Sequence, residues 1–250
     1  MRFPLLIFPL LILLVLGASV SAQAAGLPDA QRVAVETTVR TEVTKDLSVP
    51  YLPWAPDRPG ITGQPFMDGI ELVEYWADME CAYCGPGQPV AAQKKYQDRL
   101  HVIVRHMPAQ GQESIKKALI YESLKHFSPN AANMFWDAIA PKTELAMPVP
   151  YAAAMQDALM AAAIDQAAFE AYLGHNATQT IHADLAAAKS RITFTPTYVI
   201  LGIRFSGCDF TADELLAALE LAQKARAGDS QAKDEIIQII TREQLEGPEA

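Results

Sequence analysis

Short bursts of strand-like pattern lie on either side of a long helical stretch. Ile70 to Trp76 is apolar and aromatic, is bounded by Asp68-Gly69 and by Asp78, and predicts a strand. Val90 to Tyr96 reads as the later turns of a helix, and Leu100 to Val104 as a second strand closed by His106-Met107-Pro108. The order strand, helix, strand predicts parallel pairing. From Gln112 to Ser190 the period becomes helical. Ile115, Leu119 and Phe127 share a face, and Ser128-Pro129-Asn130 ends that helix. Met134, Phe135 and Ile139 lead a second helix, and Met155, Leu159 and Ala163 mark a third. Phe169 to Leu173 gives a short fourth, which Gly174 is expected to stop. The proline-rich stretch 141–150 predicts a loop.

Strand character returns at Thr197 to Leu201 and at Ile203 to Phe205, around a tight turn at Gly202. Thr211-x-x-Glu214 is a capping box that opens a helix ending at Gly228, and a final amphipathic segment carries Ile236, Ile237 and Ile240. Ahead of the first strand, Val33, Val35, Val39 and Val43 fit a strand and a helical stripe equally well. Pro50, Pro53, Pro56 and Pro59 then predict a linker or extended arm between Ser48 and Gly63.

The first residues read as an address. Arg2 precedes an apolar run from Leu5 to Leu16, and Val20-Ser21-Ala22 and Ala22-Gln23-Ala24 both suit a signal peptidase. That run is shorter than the roughly 20 residues that span a bilayer. The expectation is therefore a cleaved signal peptide and a soluble, extracytoplasmic mature protein. Roughly 225 residues then remain, enough for one domain with an insertion or for two small domains. The chain carries a formal net charge of −9 and no basic block, which removes electrostatic support for nucleic-acid binding.

Cys81-Ala82-Tyr83-Cys84 supplies the candidate chemistry, with Cys208 standing alone. A C-x-x-C directly after a strand and at a helix start would place its first sulfur among free N–H groups, where a thiolate is favoured. This makes Cys81 the expected nucleophile and Cys84 the resolving thiol, close enough to attack a mixed disulfide. Zinc would need four ligands, and His101, His106, His126, His175 and His182 offer no pair at ligand spacing. A purely structural disulfide would close a very small loop and restrict the unfolded chain little. A redox-active Cys81–Cys84 disulfide, with no metal and no cofactor, is the reading that remains.

Four stretches together resemble the DsbA type of bacterial periplasmic disulfide oxidoreductase, within the thioredoxin-like superfamily. They are Val73-Glu74-Tyr75-Trp76-Ala77-Asp78 running into the C-x-x-C, Val102 to Pro108, the helical block, and Thr195-Pro196-Thr197-Tyr198 with Gly202 and Gly207 beyond. The resemblance implies an α/β, thioredoxin-like fold with an inserted helical domain. It implies that Pro196 is cis and faces Cys81 as part of the catalytic set, and that Thr195 and Tyr83 belong to the substrate-binding surface. Glu74 is the candidate for a buried proton acceptor, although it lies seven positions before Cys81 where the family usually shows six. Cys208 reads as a small buried residue in preference to an intermolecular bridge, and Asp78 as a cap of the helix or turn.

The expected organisation is a signal peptide at 1–22, an N-terminal extension and linker at 23–65, core at 66–111, helical insertion at 112–190, core again at 191–228, and a terminal helix and tail at 229–250. The implied partners are cysteine-containing exported client proteins and a membrane redox partner, and copies could associate through residues 23–65. Ala82 and Tyr83 depart from the commonest family motif, so oxidase, isomerase and reductase stay open. A non-enzymatic exported binding module, chaperone-like or metal-carrying, is the alternative.

Overall fold

A computed structural model of the 250-residue chain describes residues 29–51, 58–140, 149–189 and 191–246. The signal peptide expected at 1–22 and most of the predicted loop at 141–150 lie outside those residues. Four strands form one mixed sheet in the order β2-β1-β3-β4. They are β1 (Glu71–Ala77), β2 (Leu100–His106), β3 (Thr197–Ile200) and β4 (Ile203–Ser206). β1 runs parallel to β2 with Val73 opposite Val102, and antiparallel to β3 with Tyr75 opposite Tyr198. Between β3 and β4, Leu201 and Gly202 both have positive φ, at +50° and +78°. Such a two-residue turn matches the twist of the strands it joins, and glycine takes its second position without strain.

Nine helical segments surround the sheet among the described residues: α1 (Asp29–Ser48), α2 (Gly87–Lys95), α3 (Gln112–Phe127), α4 (Pro129–Ile139), α5 (Tyr151–Ala161), α6 (Gln166–Tyr172), α7 (Thr178–Ala188), α8 (Ala212–Arg226) and α9 (Ser230–Glu246). Local sequence fixes several of their starts. Ser128 caps α4 by accepting the Ala131 N–H at 3.2 Å, with Pro129 in the first helical position. The Thr211/Glu214 capping box is complete at the start of α8. Gly174 does not stop a helix. Leu173–Ala177 forms a π-helical stretch that carries α6 directly into α7, with Thr178 Oγ1 donating to Leu173 O at 3.3 Å.

The helical block leaves the sheet after β2 and returns at β3. One sheet face carries Val73, Tyr75, Val102, Val104, Tyr198 and Ile200 into the main core, where Tyr121 of α3 and Trp136 of α4 are fully buried. Burying each such aromatic contributes about 2 kcal/mol. The other face carries Trp76 and Val199 against Ala188 and Ile192.

Of the segment read as an N-terminal extension and linker, the described residues 29–51 and 58–65 pack onto the body. In α1, Val39 and Val43 are buried, and the helix contacts α9 and β4. Arg226 donates to Leu201 O at 2.9 Å, Val49 O at 2.7 Å and Asp46 O at 3.0 Å, tying the end of α1 to the β3–β4 turn. Residues 58–61 run along β2, where the Ile61 N–H donates to Val102 O at 2.8 Å and Arg58 Nη1 donates to Val104 O at 3.0 Å. That covering explains why an edge strand is buried along all seven residues.

Candidate active site

Asp78 ends the run out of β1 and organises the turn that follows. Its buried carboxylate accepts the N–H groups of Glu80 at 2.9 Å, Ala109 at 2.8 Å and Gln110 at 3.1 Å, together with the Ser114 hydroxyl. This one side chain therefore ties the cysteine loop to the loop that leads into α3. The two cysteines sit in successive turns, with Cys81 N donating to Asp78 O and Cys84 N to Cys81 O, both at 3.1 Å. They are not in the helix. Gly85-Pro86-Gly87 delays α2 until Gly87, so the expected placement of Cys81 at a helix start is corrected.

Both cysteines are buried free thiols in the structure. The Cys81 thiol is pulled from 9.0 down to about 6. The hydrogen bond from Cys84 is the main cause; burial opposes it, while Thr195 and the Tyr83 N–H assist. Cys84 moves the other way, pushed well above 9.0 by burial and then by its neighbour Cys81. The two thiols are thus shifted in opposite directions, Cys81 toward its thiolate and Cys84 away from it.

The Thr195–Pro196 peptide bond is cis. As a thiol, Cys81 donates to the Thr195 carbonyl oxygen at 3.3 Å. Pro196 is buried and Thr195 half-buried, whereas Tyr83 and Phe194 are exposed. Cys81, Cys84, Thr195 and Pro196 are therefore brought together, with Tyr83 on the outside of the same loop.

Glu74 is not with them. Successive side chains on a strand point to opposite faces, and Tyr75 is the residue packed in the core that holds the cysteines. Glu74 lies on the other face, opposite Val199, and its Oε2 accepts the Trp76 indole N–H at 2.8 Å. The candidate proton acceptor is corrected on that geometry. The residue six positions before Cys81 is Tyr75, and it is this side chain that faces the core holding the cysteines.

A second cluster has no counterpart in the sequence reading. Asp184 of α7 accepts Arg58 at 2.8 and 3.0 Å, Arg105 at 3.2 Å and the His106 N–H at 2.9 Å. His106 Nε2 lies 2.8 Å from Glu122 Oε1 on α3. Burial would raise the Glu122 carboxyl, yet Lys125, His106 and Arg58 hold it well below the usual carboxylate range. His106 is thus part of a buried network that fastens α3 and α7 to β2, rather than part of a strand-end turn. Cys208 is fully buried. Among the described residues no three His, Cys, Asp or Glu side chains converge as a metal site requires.

No protein-family model and no curated protein matches the sequence. Solved structures do match. The thiol-disulfide exchange protein alpha-DsbA2 from Wolbachia pipientis superposes with a TM-score of 0.50 at 14% identity, covering 78% of this chain and 98% of that one. Alpha-DsbA1 from the same organism gives 0.50 at 15% identity, over 75% of this chain and 96% of that one. Proteus mirabilis ScsC in a transitional conformation gives 0.50 at 18% identity, over 83% and 84%. The chain has a DsbA-like thioredoxin fold. Helices α3 to α7 lie between β2 and β3, and one core buries their Tyr121, Phe135, Trp136 and Phe169 together with Cys81 and Cys84.

Proposed function

We propose that this chain is a thiol–disulfide oxidoreductase that exchanges disulfides with exported client proteins through Cys81 and Cys84. The observation that carries the reading is the asymmetry of the pair: Cys81, 3.3 Å from the Thr195 carbonyl oxygen, is acidic at about 6, while the Cys84 thiol is pushed well above 9.0. A client thiolate attacks Cys81 Sγ of the Cys81–Cys84 disulfide. The bond to Cys84 breaks, Cys84 leaves with the electron pair and takes up a proton, and a mixed disulfide joins the client to Cys81. A second client thiolate then attacks the client sulfur of that bond and expels Cys81 as a thiolate, leaving the client oxidised and the pair reduced.

An acidic Cys81 favours the reduced pair near neutral pH, which makes the disulfide a better oxidant. Disulfide donation is therefore the favoured direction, and a membrane-associated oxidant would regenerate the pair. The backbone at Phe194 and Thr195, just ahead of β3, supports extended pairing with a client chain, and Tyr83 flanks that track. Pro196 holds the Thr195 carbonyl toward Cys81. Export through residues 1–22 would place the reaction where protein disulfides persist. Among the described residues no helix is long and apolar enough to cross a membrane. Association of copies through residues 23–65 would use the outer face of α1, where Val33 is exposed, because Val39 and Val43 are buried.

The test is the reduction potential together with turnover of a reduced, unfolded client. A potential near about −120 mV, with client oxidation lost in Cys81→Ala, supports disulfide donation. A potential near about −270 mV would make the chain a reductase instead. Client binding without any exchange would favour the non-enzymatic module.

A further inference from the structure

Tyr75 places a hydroxyl beside Gly85, the residue that follows Cys84. Its ring is fully buried, stacked on Trp136 at 5.9 Å and packed on Tyr198 at 4.7 Å between centroids. Its oxygen accepts the N–H of Gly85, the residue after Cys84, at 3.3 Å. A tyrosine hydroxyl both accepts and donates. The Gly85 bond uses an acceptor lone pair and leaves the O–H proton to be directed elsewhere in a dry core. A buried donor left unused costs about 1–3 kcal/mol.

We propose that the Tyr75 hydroxyl donates a hydrogen bond to the Cys84 sulfur as it becomes a thiolate, and thereby speeds the step in which Cys84 resolves the mixed disulfide on Cys81. The proposal rests on the redox reading of the pair. In that step the Cys84 thiol gives its proton to solvent. The thiolate then forms the Cys84–Cys81 bond, the bond from Cys81 to the client sulfur breaks, and the client leaves as a thiolate that takes up a proton from solvent. Tyr75 keeps its own proton throughout. Burial, then Cys84 and Tyr198, push its hydroxyl well above 10.0, so it is a donor and not a base. Cys84 has need of such a donor, because burial and the neighbouring sulfur both oppose its ionisation. The other groups that act on this pair of side chains are Thr195 and Tyr198 on the β3 side, Asp78 in the preceding turn, Cys81, and Asp209 ahead of α8. Of these, the Tyr198 hydroxyl is buried without a hydrogen-bond partner, and Tyr198→Phe serves as the matched control.

The test uses oxidised glutathione as the probe and the full-length reduced protein. Cys81 attacks the probe to give a glutathione adduct, and Cys84 then releases glutathione. In Tyr75→Phe, which keeps the ring, the adduct should live about tenfold longer, the size of one lost hydrogen bond to a charged group, with the pH midpoint of release moved upward. The initial attack by Cys81 should stay at the wild-type rate, and Tyr198→Phe should change release less. Placing 3-fluorotyrosine at position 75 keeps ring and hydroxyl, makes a stronger donor, and should shorten the adduct's life; it decides alone if Tyr75→Phe does not fold. Adduct lifetimes and pH midpoints equal to wild type overturn the proposal. Failure of Cys81 to form any adduct would instead overturn the redox reading and this inference with it, a distinct outcome read at the first step.

Discussion

The Cys81 sulfur lies 3.3 Å from the carbonyl oxygen of Thr195, a residue 114 positions further along the chain. Antiparallel pairing of β1 with β3, with Trp76 opposite Thr197, brings the two loops to the same end of the sheet. The contact therefore depends on strand register, and the long helical insertion has only to leave and return without disturbing it.

Cys81 should react with iodoacetamide in the reduced protein with a midpoint near about 6, while Cys84 stays unreactive until well above 9.0. If Cys84 reacts first, or if both react only above about 8.5, the assigned roles fail.

The same shift makes the stability of the reduced protein depend on pH. Between about 6 and 9.0 the unfolded chain still holds the Cys81 proton and the folded chain has released it. Raising the pH through that window therefore stabilises the fold, and the gain disappears as pH falls through about 6. The opposite shift at Cys84 acts only above 9.0. Urea unfolding of the reduced protein should show this rise and Cys81→Ser should flatten it. A slope that survives the substitution would place its origin elsewhere.

On the proposed exchange, removing the Cys84 thiol should arrest the reaction at its intermediate. Cys84→Ala should accumulate client proteins joined to Cys81, visible as reducible adducts on non-reducing gels, while Cys81→Ala should accumulate none. Adducts that form equally in both variants would mean that the two sulfurs are interchangeable.

The strands could be read because their β-branched and aromatic runs are dense and are bounded by Gly69, Asp78 and Gly202. The cysteine pair, Cys81 and Cys84, could be found from its spacing. Other features depended on geometry that local pattern does not carry. Whether Glu74 or Tyr75 faces the sulfurs is decided by the pleat of β1, and one step along a strand exchanges faces. Gly174 looked like a stop, yet a π-helical stretch lets α6 run into α7, between alanine-rich flanks that favour helix. Arg58 and Asp184 pair across 126 positions, and nothing near either residue announces the other.

Because Glu74 sits on the far face of the sheet, Glu74→Gln should leave the pH profile of Cys81 alkylation unchanged. The amide oxygen can still accept the Trp76 indole N–H, so stability should change little. A Cys81 midpoint displaced by a full unit would return Glu74 to the site.

Asp184 offers the clearest test of what holds the insertion on the sheet. Its carboxylate is fully enclosed and receives two guanidinium groups and the His106 backbone N–H, so it joins α7 to residue 58 and to the end of β2. Removing one member of a buried ion pair leaves the other desolvated and typically costs roughly 3–5 kcal/mol. Asp184→Ala should therefore lower the melting temperature by about 10 °C for a protein of this size. The effect should fall on stability, not on the chemistry: wherever the variant is folded, the Cys81 alkylation midpoint should remain near about 6, since Asp184 is not among the groups that shift it. Thermal unfolding read beside alkylation separates the two. A loss under about 1 kcal/mol would show that solvent already screens the pair as at an exposed site, and a moved thiol midpoint would show that the cluster reaches the redox pair.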